Sequence, residues 1–312
     1  MNPLLVTLAD LPPAPEGRTG WPWTEAGPPV LDNGPWPTVS IITPSFNQAA
    51  FIEETIRSVL LQNYPALDYL VIDGGSSDGT LDILRRYERW LCWLSEPDRG
   101  QTDAINKGLR LAKGNVLAYL NSDDSYLPGT IRTIVDHFQT NPEVGLIYGD
   151  CYAVNTDGVA YGTIRGHPFN LRRMIMRGEF VPQQAAFWSR QAMEEVGPLD
   201  ASLHYCMDHD YLIRIGQRFP VHYIPLPLAT FRFHTGSKTV SRQEAHWHEL
   251  MAVCRHYGMT PWTAWYWIRR LRHWGLRALP QPIQTWLRVK MARPQDPYLL
   301  LHGRTTIKSD TK

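Results

Sequence analysis

Val116-Leu117-Ala118-Tyr119-Leu120-Asn121-Ser122-Asp123-Asp124 is the stretch that decides the fold. Its apolar run predicts a buried strand that delivers two adjacent carboxylates to the strand's C-terminal edge. In open α/β sheets, ligands sit in the crevice at that edge. Neighbouring carboxylates repel each other unless a cation or hydrogen-bond donors neutralise them. Hard divalent cations take oxygen ligands of this kind, commonly shared with substrate phosphates. The stretch therefore points to a metal-assisted site for a phosphate-bearing substrate. An acidic surface turn competes with that reading, because Asp, Ser and the nearby Pro128 all suit turns.

The flanking sequence repeats the same logic. Residues 39–44 (VSIITP) predict a buried strand, with Asn47 capping a helix whose inner face carries Ile52, Ile56, Val59 and Leu60. Residues 69–72 predict a second strand, a Gly-Gly turn, and a helix with Leu81, Leu84 and Tyr87 inward. A short strand at 91–94 precedes a helix over 101–113, which Gly114 can close. A helix at 128–138 and a strand at 144–148 follow. This βαβα alternation predicts a mostly parallel sheet with helices on both faces. Beyond Asp150 the pattern loosens to a hairpin around residues 155–158, a strand at 185–188, a helix at 208–219 and two strands at 221–224 and 229–233.

Composition sets the bounds. The chain has 312 residues, 43% hydrophobic and 20% charged, with net charge +1. That balance suits a globular enzyme and gives no case for a nucleic-acid partner. Cys92, Cys151, Cys206 and Cys254 are widely spaced with no CxxC, as expected of a reducing compartment. No signal peptide and no apolar run of membrane-spanning length is visible, so the expected location is cytoplasmic. Three segments are expected: a Pro/Trp-rich extended lead (1–37), a catalytic domain (38–240) and a basic, Trp-rich helical segment (241–312).

Four loops follow strands at one sheet edge: Pro44-Ser45-Phe46-Asn47, the turn opened by Asp73, residues 96–101 and the Asp123-Asp124 loop. Right-handed crossovers gather such loops on one rim. Neither GxGxxG nor GxxxxGK[ST] occurs, which weighs against dinucleotide and P-loop chemistry.

Taken together, VSIITPSFN (39–47), VIDGGSSDGT (71–80), SEPDRGQTDAINKG (95–108), LNSDDSYLP (120–128), DHDYLIR (208–214) and FRFHTGS (231–237) resemble the family 2 glycosyltransferases of the GT-A fold. The resemblance covers residues 38–240. It implies a three-layer α/β/α sandwich with a helical C-terminal appendage. It also implies inverting transfer of a sugar from a nucleotide diphosphate donor to a hydroxyl acceptor, in polysaccharide or glycolipid synthesis.

By the resemblance, Pro44, Ser45, Phe46 and Asn47 line the nucleoside pocket and Asp73 accepts from the base. Asp98, Arg99, Asp103 and Asn106 approach the ribose, diphosphate or donor sugar, and Ser122 joins them. A solvated pair with Lys107 competes for Asp103. Asp123 matches the metal carboxylate of the family's DxD motif, with Asp124 beside it and Asn121 replacing the first Asp. His234 matches a position near the diphosphate and the cation, expected to be Mg²⁺ or Mn²⁺. Asp208 is the expected general base, at a helix start whose field favours the ionised carboxylate; Asp210 is the other acid there. Gln184 and Trp188 are acceptor-side candidates, with core packing the competing reading of Trp188.

Two readings of the C-terminal segment stay open. Residues 251–295 carry no acidic side chain, while arginines alternate with Trp262, Trp265, Trp267, Trp274 and Trp286. Such a helix suits an anionic membrane interface, where lipid-linked acceptors reside. It equally suits an appendage packed on the core. Two alternatives to transfer also stand: a sugar nucleotidyltransferase, or a nucleotide-sugar-binding module without catalysis.

Overall fold

A computed structural model describes residues 6–29, 36–234, 236, 243–260 and 267. Among the described residues, nine strands form one sheet. In chain order they are β1 (Val39–Ser45), β2 (Leu67–Asp73), β3 (Cys92–Ser95), β4 (Val116–Tyr119), β5 (Ser125–Tyr126), β6 (Leu146–Val154), β7 (Ala160–Ile164), β8 (Ala186–Ser189) and β9 (Val221–Arg232). The spatial order is β3-β2-β1-β4-β8-β6-β9-β5, with β7 paired to the far end of β6. β3, β2, β1 and β4 run parallel, and the sheet turns antiparallel at β8.

The parallel half arises as the sequence reading expects. Every residue of β1 and β4 is buried, as strands covered on both faces require. α1 (Ile52–Leu60), α2 (Thr80–Tyr87) and α4 (Thr130–Thr140) cover one face. α3 (Gln101–Leu111), α6 (Arg190–Val196), α7 (Met207–Gly216) and α8 (Gln243–His256) contribute to the opposite core, and α5 (Leu171–Arg177) packs there through Met174. α3 lies tight on β1 because residue 108 is glycine: a Cβ there would come within 2.4 Å of Ile42 Cγ2.

Three local expectations are corrected. Asn47 does not cap α1, which starts at Ile52; Asn47 sits at φ 53° and its Oδ1 accepts from Ser77 N at 2.9 Å, stitching the first rim loop to the second. Gly114 does not close α3. The chain is already extended at Ala112, and Gly114 N donates to Ser40 Oγ at 2.7 Å. The two strands expected over 221–233 are one strand, β9. β9 carries Pro225 and Pro227 and shifts register against β6 around Asp150, where prolines without an N–H are tolerated.

The described part of the Pro/Trp-rich lead packs on the first core. Arg57 of α1, 1% exposed, donates to the carbonyls of Pro12, Pro22 and Trp23 and stacks its guanidinium over the Trp23 ring at 5.2 Å. Trp21 Nε1 donates to Tyr126 O at 2.7 Å, beside the acidic loop. The basic, Trp-rich tail beyond residue 260 lies outside the described residues apart from Trp267. Among the described residues no helix is long and apolar enough to cross a membrane.

Candidate active site

The rim forms at the carboxyl ends of the parallel strands. Ser45, Asp73 and Ser95 are in register across β1, β2 and β3, and Asn121 follows the end of β4. Pro44 and Ser45 are buried in β1, whereas Phe46 projects, 59% exposed. Asp73 is fully buried and holds its own turn: it accepts from Gly75 N, Ser76 N, Ser76 Oγ and Ser95 Oγ at 2.5–3.0 Å. A nucleobase would have to share those oxygens. Gly74 allows Asp98 to close over the turn, since a Cβ there would meet Asp98 Oδ2 at 2.7 Å.

On the third loop Asp98 Oδ1 accepts from Gly100 N at 2.7 Å. The Arg99 side chain pairs with Asp103, 3.4 Å away, and is 83% exposed. Hydrogen bonds from Arg99 offset desolvation and hold the Asp103 carboxyl below its usual range. Lys107 stands 3.8 Å from Asp103 and 2.8 Å from Glu96. Asn106 is not on the rim. Its Nδ2 donates to Leu199 O and its Oδ1 accepts from Leu199 N, so both ends of the amide brace the chain leading into α7.

The two aspartates after β4 part company. Asp123 faces His234, with Oδ2 3.0 Å from Nε2, and both keep some solvent contact. Ser122 is buried beside them. Asp124 is 1% exposed; its carboxylate accepts from Arg232 N at 2.9 Å and Asn121 Nδ2 at 3.3 Å, and Gln184 adds a third donor. Burial, then the charge of Asp123, pushes its pKa well up. Asp124 therefore does not stand beside Asp123 as an outward cation ligand. Asn121 also accepts from Gln101 Nε2 at 2.6 Å, joining α3 to this loop. An amide at position 121 gives Asp124 a donor where a carboxylate would add repulsion.

Arg232 was missed by the sequence reading, although the match at 231–237 contained it. It is 1% exposed and donates to Asp123 O, Asn155 O and Thr156 O, with Nη2 2.5 Å from Glu54 Oε1. One guanidinium thus ties the acidic loop to the β6–β7 hairpin and to α1. A buried arginine persists only with acceptors of this number.

α7 carries Asp208 in its first turn, within electrostatic reach of β4. Tyr119 of β4 is the link: burial first, then the charges of Asp208 and Asp124, push its phenol well above the ordinary range. Asp208 keeps a little solvent contact, and its Oδ1 accepts from His209 N at 2.8 Å. Desolvation raises its pKa to about 6, partly opposed by backbone N–H groups of its own turn, with the charge of Glu249 adding to the rise. Burial outweighs the helix-start field on which the sequence expectation rested.

The remaining acceptor-side candidates are not on that surface. Asp210 is engaged by Arg214 Nε at 2.9 Å and by Tyr257 OH at 2.6 Å. Trp188, 1% exposed, packs edge-on between Tyr119 and Tyr211 in the core. Gln184 is buried and serves Asp124. The sequence could not separate these positions from exposed ones, because their burial depends on α8 and β8.

The residues facing outward fit a divalent cation in part. Among the described residues no group of three or more His, Cys, Asp or Glu is arranged to hold a metal. Asp123 and His234 offer one carboxylate oxygen and one imidazole, a set a cation completes with water and phosphate oxygens.

Residues 40–196, half of the chain, match the family described as Glycosyl transferase family 2. An uncharacterized glycosyltransferase of Mycobacterium tuberculosis is 32% identical over 182 residues, which cover 57% of this chain and 68% of that protein. Among solved structures, TarS of S. aureus in complex with UDP-GlcNAc aligns with a TM-score of 0.56 at 16% identity, over 85% of this chain and 90% of that one. The mannosyltransferase PcManGT of Pyrobaculum calidifontis, in complex with GDP-Man and Mn²⁺, aligns with a TM-score of 0.53 at 19% identity, over 90% of this chain and 89% of that one. Those likenesses give the fold as GT-A. The chain belongs to glycosyl transferase family 2 and is a glycosyltransferase.

Proposed function

We propose that this enzyme transfers a sugar from a nucleoside diphosphate donor to an acceptor hydroxyl with inversion at the anomeric carbon. The observation carrying the proposal is the Asp123–His234 pair after β4, with the desolvated Asp208 of α7 and Asp124 of the same loop both acting electrostatically on Tyr119 of β4. The nucleotide-sugar complexes of the two structural neighbours support the donor class.

Asp208 accepts the proton of the acceptor hydroxyl as that oxygen attacks the anomeric carbon, and the diphosphate departs from the opposite face. With a pKa near 6, Asp208 is ionised at neutral pH and remains basic enough to take a proton. Asp123 and His234 would hold a Mg²⁺ or Mn²⁺ ion. When bound, that ion neutralises charge building on the leaving diphosphate. Asp124, Asn121 and Arg232 keep the Asp123 backbone in place. Arg99, exposed at the rim, is free to swing to a phosphate. The acceptor is a glycan or a lipid-linked alcohol.

Sugar nucleotides offered to chelator-treated enzyme, with and without added Mn²⁺ or Mg²⁺, test the reading. Free nucleoside diphosphate and a product of inverted configuration are expected only with the ion. Transfer at full rate in excess chelator would remove the cation from the reaction, and a retained configuration would remove the direct displacement.

A further inference from the structure

We propose that Glu249 of α8 is a positioning residue for Asp208, so that a helix beyond the family-matched region completes the active site. The inference rests on the reading of Asp208 as base. Glu249 reaches across to the start of α7 and accepts from three successive backbone N–H groups: His204 at 3.0 Å, Tyr205 at 2.6 Å and Cys206 at 2.7 Å. No side chain of α7's own lead performs that task; Cys206 at the cap position makes no side-chain cap bond. The orphan donors of a helix start ordinarily find a local Ser, Thr, Asp or Asn. Here the cap residue's N–H and the two before it find a carboxylate some 40 residues downstream, which fixes the lead into α7. Asp208 lies two residues past the last of those donors, in the first turn.

A second attachment fixes the geometry. Tyr257, just past α8, donates to Asp210 Oδ1 at 2.6 Å, and Cys254 Sγ lies 3.9 Å from His209 Nε2. α8 thus grips α7 at its start and along its first turn. From the other side, Thr102 and Asn106 of α3 hold Leu203 O and Leu199, so the 199–206 lead is fixed between α3 and α8. Glu249 also places a negative charge near Asp208. The titratable groups around Asp208 are Glu249 from α8, Tyr119 from β4, and Cys206 and His209 from α7 and its lead.

The test compares Glu249→Gln, Glu249→Ala and Asp208→Asn in the full chain, by kcat, donor KM and the pH profile of kcat. Glu249→Ala loses all three contacts, and kcat should fall on the order of 10- to 100-fold, the cost of a small displacement of a reacting group. Donor KM should stay unchanged. Glu249→Gln keeps an acceptor oxygen for Tyr205 N and Cys206 N but removes the charge. It should recover most of the lost rate, and its acid limb should move to lower pH than that of the parent. A merely structural role would not move that limb. Glu249→Gln with the parental limb, alongside Glu249→Ala with parental kcat, would overturn the proposal. If Asp208→Asn itself turns over at the parental rate, the base assignment fails instead, and the two failures are separate.

Discussion

The loop after β4 and the first turn of α7 each carry two acidic residues, and each divides them the same way. One carboxylate is turned into the protein and surrounded by donors: Asp124 by Arg232 N, Asn121 and Gln184, Asp210 by Arg214 and Tyr257. The other has fewer partners: Asp123 pairs with His234, and Asp208 with backbone N–H groups of its own turn. The regions differ in what makes the free carboxylate useful. Asp123 sits beside an imidazole and can share a cation with phosphate oxygens. Asp208 is desolvated, which makes it a better proton acceptor than an exposed aspartate. A carboxylate saturated with hydrogen bonds fixes geometry, and one lacking them is available for chemistry.

Breaking the comparison at Asp208 should cost most. Asp208→Asn is expected to lower kcat by roughly 10²–10⁴-fold while nucleotide binding persists, as read by single-turnover kinetics and calorimetry. The same substitution should stabilise the fold. A carboxyl whose folded pKa lies near 6, against 3.8 in the unfolded chain, contributes stability below pH 3.8 that is lost as pH rises through about 6. At pH 7.5 the substitution should therefore add about 1–2 kcal/mol, allowing for residual solvent contact, and the gain should vanish near pH 3.5. In the parent, kcat should fall as pH drops through about 6.

Asp123→Ala is next, with kcat/KM expected to fall on the order of 10²–10³-fold and donor binding to lose its response to Mn²⁺. Asp210→Asn should change kcat by less than roughly tenfold, with its main effect on Tm, because it touches α7's packing and not the acceptor. A loss as large as that of Asp208→Asn would reverse the assignment between the two. The smallest effect on catalysis is expected from Trp188→Phe. Its Nε1 has no hydrogen-bond partner to lose. Acceptor KM should be unchanged while stability drops by about 1–3 kcal/mol through lost packing volume. A raised acceptor KM would return Trp188 to the sugar-binding surface.

The parallel half of the fold was legible because apolar runs, Gly-rich turns and amphipathic helices alternate locally between residues 38 and 140. Asn47, Gly114 and β9 went differently, each decided by a partner distant in sequence: Ser77, Ser40 and the β6 register shift. At the site, motif order singled out Asp123, Asp208 and His234, the groups that the proposed function uses. Asp124, Asp210, Asn106, Gln184 and Trp188 carried the right chemistry at the right spacing, but they are engaged by the scaffold. Arg232 and Glu249 gave no signal of their own, since an isolated Arg or Glu usually lies on a solvated face.

The sequence by itself determined the kind of enzyme. Strand-end carboxylates, the turn after β2 and the ordered motifs arise from local periodicity and short-range chemistry, which a linear chain displays directly. Only the tertiary structure decided which acid of each pair is saturated with donors. That choice depends on desolvation and on donors contributed by β9 and by Tyr257 just past α8, 108 and 47 residues away in the chain. Burial and hydrogen-bond supply are properties of the packed whole, and they set the ionisation and orientation of a carboxylate.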